Sequence, residues 1–225
     1  MPWDETDDLK RARERMVETQ LRSRGIRDPR VLDAFLQAPR HLFVPRDMLS
    51  EAYADYPLPI GEGQTISQPW IVAYMLQELH LPGPARREQA GRERVLDVGA
   101  GSGYQTALLA AMGCDVYAIE RIPALMEKAK AVIESLGYTR VHYYIGDGTL
   151  GWPERAPYDR IVVGAAAPST PPSLVAQIAE GGCMVLPVGG MGGQELIRVE
   201  KHGGKTSEIP LCGCVFVRLI GKEGW

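Results

Sequence analysis

The sequence predicts an α/β fold, with a mostly parallel, doubly wound sheet, an N-terminal helical cap and a C-terminal antiparallel hairpin. From Arg94 onward, apolar segments typical of buried strands alternate with helical segments, and such alternation requires parallel strands joined by right-handed crossovers. A run of glycines separates the first of these strands from the helix that follows it. Near the end of the chain, two segments of alternating apolar and polar residues flank Gly203-Gly204, which is typical of an antiparallel hairpin.

Chain length favours a single domain over residues 1–225. Within it, local composition predicts a helical region over residues 1–80 and a sheet region over residues 92–225. Residues 81–91 are rich in proline, glycine and charge, so we expect them to connect the two regions.

The helical region is predicted from apolar spacing and helix-start signals. Residues 6–24 carry apolar side chains along one helical face. Asp28 followed by Pro29 predicts the N-cap and first turn of a second helix. Residues 53–63 are expected to form an irregular, substrate-facing loop, and residues 64–69 are expected to open a third helix.

The sheet region is predicted from strand and helix periodicities in alternation. Strands are expected over residues 94–98, 115–119, 140–145, 158–163 and 183–186. Helices are expected over residues 104–112, 123–136 and 172–179. The C-terminal hairpin is expected to pair residues 195–201 with residues 209–219.

The turn after the first expected strand has the features of a nucleotide-binding loop. Glycines at 99, 101 and 103 let the backbone approach a ligand, and the helix behind them offers unpaired N–H groups. Their spacing differs from the G-x-G-x-x-G of dinucleotide sites. With Asp97 two residues before Gly99, the segment looks like the first motif of S-adenosylmethionine (AdoMet)-dependent methyltransferases. A glycine turn without a ligand and an NAD site remain alternatives at this point.

Three acids occupy the ends of consecutive expected strands, where open parallel sheets bind ligands. Glu120 follows Gly99 by 21 residues, the offset at which an acid accepts hydrogen bonds from ribose hydroxyls. Asp147 is expected near an adenine amino group, and Asp97 near the amino-acid end of an AdoMet-like ligand. Each acid taken alone also fits a helix cap or a solvated side chain.

Composition disfavours several classes of function. A net charge of −3 and a pI near 5.9 argue against nucleic-acid binding, which favours basic proteins. No apolar run reaches the length of a membrane span and the N-terminus is acidic, so a cytoplasmic protein without membrane contact is expected. The four cysteines form no C-x-x-C pair and the four histidines show no ligand spacing, so we expect no metal site.

The segment after the fourth expected strand restricts the reactions that the protein is expected to catalyse. Residues 164–168, Gly-Ala-Ala-Ala-Pro, offer no catalytic pair for hydride transfer, which weakens the NAD alternative. Many amino-group methyltransferases carry Asn or Asp followed by Pro-Pro-Tyr at this place. That motif is absent here, so methylation of an amide or adenine nitrogen is not expected.

The chain resembles the protein-L-isoaspartate (D-aspartate) O-methyltransferases over most of its length. The most specific matches are Thr65-Ile66-Ser67-Gln68-Pro69 and residues 163–168. The other matching segments are Arg40-x-x-Phe43-Val44-Pro45, Val95 to Tyr104, Gly146-Asp147-Gly148, Ala156 to Asp159 and Leu186 to Gly189. The long connector over residues 81–91 and the glycine-rich residues 189–193 depart from the family pattern, which concerns surface loops rather than the chemistry.

The resemblance implies an AdoMet-dependent methyltransferase (Rossmann-like) fold, with residues 1–80 on the substrate side and residues 92–225 binding AdoMet. It implies methyl transfer from AdoMet to the free carboxylate of L-isoaspartyl and D-aspartyl residues in damaged peptides and proteins, with S-adenosyl-L-homocysteine (AdoHcy) as product. The methyl ester then cyclises and reopens partly as normal aspartate, which is protein repair. A monomer whose partners are isoaspartyl peptides and proteins is expected.

The expected site residues fall into three groups. Ser67 is the expected catalytic residue, because its hydroxyl precedes a helix and so lies where an acceptor carboxylate could be oriented; capping of that helix is its alternative role. The expected cofactor-binding residues are Asp97, Gly99, Ala100, Gly101, Ser102, Gly103, Tyr104, Glu120, Arg121, Asp147 and Gly148. The expected substrate-binding residues are Val44, Pro45, Ile60, Thr65, Ile66 and Ser67.

Carboxyl methylation fits the lack of an acid–base pair in these motifs. A carboxylate is already ionised at neutral pH, so it can attack a sulfonium methyl group without a general base. The protein must then supply positioning and exclude water. Two alternatives stay open at the level of sequence: an AdoMet-dependent carboxyl or O-methyltransferase acting on a small molecule, and a cofactor-binding protein without turnover.

Overall fold

The computed structural model describes residues 6–82, 92–190 and 192–225. The structure has a seven-stranded sheet in the order β5-β4-β3-β6-β7-β8-β9 and a separate two-stranded sheet, β1-β2. The strands are β1 (Leu58–Gly61), β2 (Gln64–Ile66), β3 (Arg94–Val98), β4 (Asp115–Glu120), β5 (Val141–Ile145), β6 (Tyr158–Val163), β7 (Ile178–Gly190), β8 (Gly193–His202) and β9 (Lys205–Cys214). The α-helices are α1 (Asp7–Met16), α2 (Pro29–Gln37), α3 (Pro69–Glu78), α4 (Tyr104–Ala111), α5 (Pro123–Ser135) and α6 (Pro172–Ala176).

The strand order confirms the predicted mostly parallel, doubly wound sheet. Strands β3 to β7 pair in parallel, whereas β7, β8 and β9 pair antiparallel, as expected for a C-terminal hairpin. The central strand β3 lies between β4 and β6, so the chain order reverses at its carboxyl end. Ligands of open α/β sheets bind in the crevice that such a reversal opens.

Strand β3 is buried on both faces from its second residue on, which is why apolar residues predominate there without alternation and why its one acid, Asp97, is buried too. Val95 belongs to the core that the sheet shares with the helical cap, and Leu96 to the core on the opposite face. Phe35 of α2 packs edge-on against Tyr104 of α4, with ring centroids 5.7 Å apart. The cap therefore continues the hydrophobic core of the sheet and fixes the position of its own loops relative to the strand ends.

The cap confirms the two predicted helix starts. Thr6 accepts a hydrogen bond from Leu9 N–H at the start of α1, and Asp28 accepts one from Arg30 N–H at the start of α2. After α1 the chain continues as a π-helical turn over Val17–Leu21 and a 3₁₀ turn over Arg22–Arg24. A residue in the left-handed conformation often ends a helix, and Gly25, with φ +94°, ends this one.

The structure corrects the prediction of an irregular loop over residues 53–63. Residues 58–61 form β1, which pairs with β2 so that Leu58 lies opposite Ile66. Leu58 and Ile60 are buried while Pro59 and Gly61 are exposed. The segment therefore has the alternation of a half-buried strand, although its composition is typical of turns. Proline is tolerated because the strand belongs to a two-stranded ribbon rather than to the interior of a sheet.

The predicted third helix begins later than expected. Residues 64–66 form β2, and α3 begins at Pro69 with Gln68 as its N-cap. Because the strand takes up the first part of the predicted helix start, residue 67 lies in the link between β2 and α3 and not inside a helix.

The C-terminal part of the sheet differs from the prediction in its bounds. Helix α6 ends at Ala176, and β7 begins at Ile178, where it pairs with Tyr158 before a register shift. Strand β9 ends at Cys214, so residues 215–219 do not continue the hairpin. They cross instead to the end of β6, where Leu219 N–H donates to Ala166 C=O at 2.8 Å. The charged connector predicted over residues 81–91 lies almost wholly outside the described residues.

No α-helix among the described residues combines the length and the apolar character needed to cross a bilayer.

Gly103→Ala and Gly137→Ala form a matched pair that tests the packing of the glycine turn. Both glycines have a left-handed backbone, with φ +85° and +80°. A Cβ at Gly137 meets nothing within 4 Å, but one at Gly103 lies 2.7 Å from the Cβ of Ala129 on α5. We expect Gly137→Ala to lower the free energy of unfolding by about 1–2 kcal/mol, through backbone strain alone. Gly103→Ala should cost at least about 1–3 kcal/mol more, through overpacking. Urea unfolding of both variants measures this, and equal losses would contradict the packing described here.

Candidate active site

The glycine turn between β3 and α4 lies at the carboxyl end of the central strand. Gly99, Gly101 and Gly103 have φ values of +78°, +54° and +85°, which side-chain-bearing residues rarely adopt. A Cβ at Gly99 would have no neighbour nearer than 4.0 Å, so this part of the turn presents bare backbone to open space. The turn therefore provides the close backbone approach that a ligand needs.

Glu120 fixes the shape of this turn from the end of the neighbouring strand β4. Its Oε2 accepts a hydrogen bond from Gly101 N–H and its Oε1 accepts one from Ile122 N–H, both at 2.9 Å. Each carboxylate oxygen has a second lone pair, and Glu120 lines the cleft beside the turn. Glu120 thus holds the turn and lies at the cleft, and its contact with ribose hydroxyls stays a prediction of the sequence.

Asp97 lies behind the turn rather than at its surface. The side chain is fully buried. Its Oδ1 accepts a hydrogen bond from Gln105 Nε2 at 2.8 Å, and its Oδ2 accepts one from the Thr106 hydroxyl. Burial raises the pKa of Asp97 to about 6, although these two hydrogen bonds oppose the shift. A carboxylate without exposed surface does not itself touch a ligand, so the structure does not bring Asp97 to the amino-acid end of a cofactor.

Asp147 holds the end of the chain as well as its own turn. Its Oδ1 accepts hydrogen bonds from Thr149 N–H and the Thr149 hydroxyl at 2.9 and 2.7 Å, and its Oδ2 accepts one from Lys222 N–H at 2.7 Å. Burial alone would raise the pKa of Asp147, but these hydrogen bonds outweigh it and the pKa is lowered. The neighbouring Gly148 lines the cleft.

A C-terminal segment, residues 215–225, forms one wall of the cleft. Val217, Arg218, Leu219 and Ile220 line it. The segment is tied to α6 by Glu223, whose carboxylate accepts hydrogen bonds from Ser173 N–H at 2.9 Å and from its hydroxyl at 2.6 Å. Sequence reasoning assigned the first part of this segment to a strand, because its apolar residues alternate, and so missed its place at the site.

The space between the walls of the cleft measures about 560 Å³, part of which is open to solvent. It is open along the glycine turn, polar at Glu120 and apolar where the C-terminal segment closes it. Its walls are Gln64, Thr65, Gly99, Gly101, Ile119, Glu120, Arg121, Ile122, Gly148, Gly164, Ala165 and residues 217–220.

A second, wider groove adjoins the cleft and carries Ser67. Thr65, Gly164 and Val217 line both spaces, so the two meet at these residues. The remaining walls of the groove are Arg24, Pro57, Ser67, Gln68, Trp70, Ile71, Gly213, Cys214, Val215 and Phe216. A ligand in the cleft can therefore reach a second molecule in the groove at this junction.

The structure removes the alternative in which Ser67 caps α3. The N-cap is Gln68, and no side chain caps the helix. The Ser67 hydroxyl makes no hydrogen bond within the described part of the chain, whereas its C=O accepts one from Arg40 Nη2 at 2.9 Å. The first residues of α3, including Ile71, also line the groove. A free hydroxyl beside a helix N-terminus is suited to an anion.

The predicted substrate-binding residues divide between two places. Thr65 lies with Ser67 in the groove, and Ile66 lines a small cavity between Ser67 and the glycine turn. Val44, Pro45 and Ile60 line another groove, which meets the small cavity at Gly101 and Ser102 but shares no residue with the wider groove at Ser67.

The remaining predicted cofactor-binding residues lie on or near the turn. Ala100 and Ser102 line the small cavity, and Arg121 lines the cleft. Tyr104 borders that cavity but is almost wholly buried against the cap. Gln105 also lines the cavity and was missed, because a glutamine in a helix carries no distinctive signal in a sequence. Among residues 6–82, 92–190 and 192–225, no cluster of three or more His, Cys, Asp or Glu side chains is placed to hold a metal ion.

Comparison with known protein families shows which family the chain belongs to. The family model described as protein-L-isoaspartate(D-aspartate) O-methyltransferase (PCMT) matches residues 11–224. The chain belongs to the PCMT family. This confirms the resemblance in the sequence, and the match extends from the cap to the C-terminal segment.

Similar proteins cover nearly the whole chain. Proteins described as protein-L-isoaspartate O-methyltransferase are 48% identical in Methanoculleus marisnigri, over 98% of this chain and 97% of theirs, and 49% identical in Geobacter metallireducens, over 95% and 96%. A solved structure described by the same name matches with a TM-score of 0.83 at 28% identity, covering 94% of this chain and 67% of that one. A putative PCMT from Plasmodium falciparum, solved in complex with AdoHcy, matches with a TM-score of 0.75 at 27% identity, covering 91% and 96%.

Asp97→Asn tests the burial of the carboxylate through the pH dependence of stability. The pKa of Asp97 is about 6 in the folded protein and near its ordinary value of 3.8 in the unfolded chain, so the wild type loses stability as pH rises from about 4 to about 6. Asparagine does not titrate. Relative to the wild type, the free energy of unfolding of Asp97→Asn should therefore rise by about 2–3 kcal/mol between pH 4 and pH 7.

Urea unfolding across this pH range measures the difference, with exposed Asp33→Asn as the control for the loss of a carboxylate. A difference between Asp97→Asn and the wild type that stays constant with pH would show that Asp97 is not the buried acid described here.

Proposed function

We propose that this chain transfers the methyl group of AdoMet to the free carboxylate of L-isoaspartyl and D-aspartyl residues in damaged peptides and proteins. The observation that carries the proposal is the junction of cleft and groove. It places the free hydroxyl of Ser67 next to the space bordered by the bare glycine turn. Membership of the PCMT family supports the same chemistry.

The residues of the cleft fit AdoMet. Gly99 and Gly101 leave the backbone open, and Glu120 offers acceptor lone pairs for ribose hydroxyls. Ile119, Ile122 and the C-terminal segment supply an apolar wall on which an adenine ring can lie, and Gly148 lines the same cleft. When bound, AdoMet supplies an electrophilic methyl group on a sulfonium centre.

The chain's own residues then have two tasks, to bind the acceptor carboxylate and to orient it. The carboxylate is ionised at neutral pH, so no residue has to remove a proton. The Ser67 hydroxyl donates a hydrogen bond to one carboxylate oxygen and directs the other towards the junction at Thr65 and Gly164. The N-terminal N–H groups of α3 add a favourable dipole for the anion.

Exclusion of water is important at this junction because the two reacting groups carry opposite charges. The reaction joins an anion and a cation to give two neutral products, and water screens the attraction between them. Val217 and Phe216 of the C-terminal segment, together with Trp70 and Ile71, line the groove with apolar surface. Positioning and desolvation by these residues account for catalysis without an acid–base pair.

The substrate class is tested with a matched pair of peptides. Radiolabelled AdoMet is incubated with the protein and either an isoaspartyl peptide or its normal aspartyl twin of identical sequence. We expect label on the isoaspartyl peptide only, because the two carboxylates differ in their distance from the backbone. Equal labelling of both peptides, or labelling only of small carboxylic acids, would contradict the proposal.

Ser67→Ala tests the catalytic role of Ser67. Loss of one hydrogen-bond donor to a reacting anion lowers rates by about 10²-fold to 10³-fold in other enzymes, and we expect a fall in kcat near the lower of these limits. Ser135→Ala, which removes an exposed serine hydroxyl on α5, is the control. Because Ser67 does not cap α3, the fall should come without loss of thermal stability. An unchanged kcat in the folded variant would show that Ser67 only lines the groove and has no catalytic role.

We also propose that the protein acts as a cytoplasmic monomer without nucleic-acid partners. Its acidic composition supports the last point. Its four cysteines are free thiols, which is typical of a reducing compartment. Sedimentation at micromolar concentration tests the monomer, and a dimeric mass would contradict it.

A further inference from the structure

The small cavity beside the glycine turn is lined by Gln105, a residue that the sequence did not single out. Asp97, predicted for this place, is fully buried, but its partner Gln105 is partly exposed. Gln105 lines the small cavity together with Ser67, Gly99 and Ser102. The buried acid therefore faces the cavity only through the amide of Gln105.

The hydrogen bond to Asp97 fixes which end of that amide is available. Gln105 Nε2 donates to Asp97 Oδ1 at 2.8 Å, and the Thr106 hydroxyl donates to Oδ2. An ionised carboxylate only accepts hydrogen bonds, so the NH₂ end of the amide must face Asp97. Gln105 Oε1 accepts no hydrogen bond from any described residue and is not among the buried unpaired atoms. The negative end of the amide dipole is thus available, and the charge behind it polarises the amide further.

The position of the cavity indicates which part of AdoMet meets Gln105. The adenosine part fits the larger cleft at Glu120 and Gly148, and the sulfur atom must lie at the junction beside Ser67. The methionine part is bonded to the same sulfur. The small cavity borders the junction at Thr65 and Gly164 and the cleft along the glycine turn, so it is the space into which that part extends. That part carries one cationic group, an α-ammonium, which requires hydrogen-bond acceptors.

We propose that Gln105 Oε1 accepts a hydrogen bond from the α-ammonium group of AdoMet, and that Asp97 is a positioning residue that orients the amide. The proposal rests on the function proposed above, because it assumes AdoMet in the cleft. It assigns Asp97 a role that its burial allows, namely holding Gln105 Oε1 towards the cavity without touching the ligand.

Two ligands separate this role from a merely structural one. AdoHcy retains the α-ammonium group, whereas its deaminated analogue S-adenosyl-4-thiobutanoate lacks it but keeps the carboxylate. Their dissociation constants are measured by calorimetry for the wild type and for Gln105→Met, which keeps the size of the side chain and removes the acceptor. Gln37→Met makes the same chemical change at an exposed position on α2 and serves as the control.

We expect Gln105→Met to weaken AdoHcy about tenfold or more, as for loss of a hydrogen bond to a charged group. Binding of the deaminated analogue should change by less than about twofold, because it lacks the partner of Oε1. Equal weakening of both ligands would show that Gln105 only shapes the cavity. Undiminished AdoHcy binding would also overturn the proposal.

Asp97→Asn supplies an independent test of orientation. The asparagine NH₂ group can donate to Gln105 Oε1, which would turn the amide and present its NH₂ end to the ammonium. We expect Asp97→Asn to weaken AdoHcy at least as much as Gln105→Met, again with little effect on the deaminated analogue. The double variant should bind no more weakly than the weaker of the two single variants, because both act through one contact. Additive losses would contradict the positioning role.

The outcomes distinguish failure of this inference from failure of the proposed function. If the wild type binds no AdoHcy, both fail. If the wild type binds AdoHcy and methylates isoaspartyl peptides, yet Gln105→Met affects the two ligands alike, only the assignment of Gln105 fails.

Discussion

The hydrogen bond from Gly101 N–H to the Glu120 carboxylate is the contact on which the cofactor site depends. It joins the turn after β3 to the end of the neighbouring strand β4. The glycines adopt the left-handed conformations, and the hydrogen bond to the acid holds the turn in an arrangement that exposes its backbone to the cleft. The same carboxylate also holds Ile122 N–H, so the turn and the opposite wall share one anchor.

A second constraint brings the acceptor side to this turn. Arg40 is fully buried and donates hydrogen bonds to Ala52 C=O and Ser67 C=O at 2.8 and 2.9 Å. Its guanidinium also lies 5.1 Å from the ring centroid of Tyr104, the first residue of α4. Burial lowers the pKa of Arg40 to about 10, so it still carries its charge at neutral pH. One side chain therefore links the segment that carries Ser67 to the helix behind the glycine turn.

Some of this arrangement is readable from the sequence and some is not. Buried parallel strands such as β3 appear as mostly apolar segments without alternation, because both faces are covered, and the glycine spacing identifies the turn. The hairpin of β1 and β2 was not predicted, because the prolines and glycines around Leu58 and Ile60 give the segment a composition typical of turns.

The depth of a strand-end acid is also invisible in a sequence. Asp97 and Glu120 have similar local patterns, yet only Glu120 reaches the cleft. Likewise, the alternating apolar residues after Cys214 are compatible both with a strand and with a wall of the cleft. Only the hydrogen bonds to Ala166 distinguish these two structures. The structural details that decide ligand contact thus depend on packing between distant segments.

A crystal structure with AdoHcy and an isoaspartyl peptide tests all of these placements in one measurement. Adenosine should lie between Glu120 and Gly148, the sulfur at the junction of Thr65 and Gly164, and an isoaspartyl oxygen within hydrogen-bond distance of the Ser67 hydroxyl. AdoHcy outside the cleft, or a peptide carboxylate distant from Ser67, would contradict this arrangement.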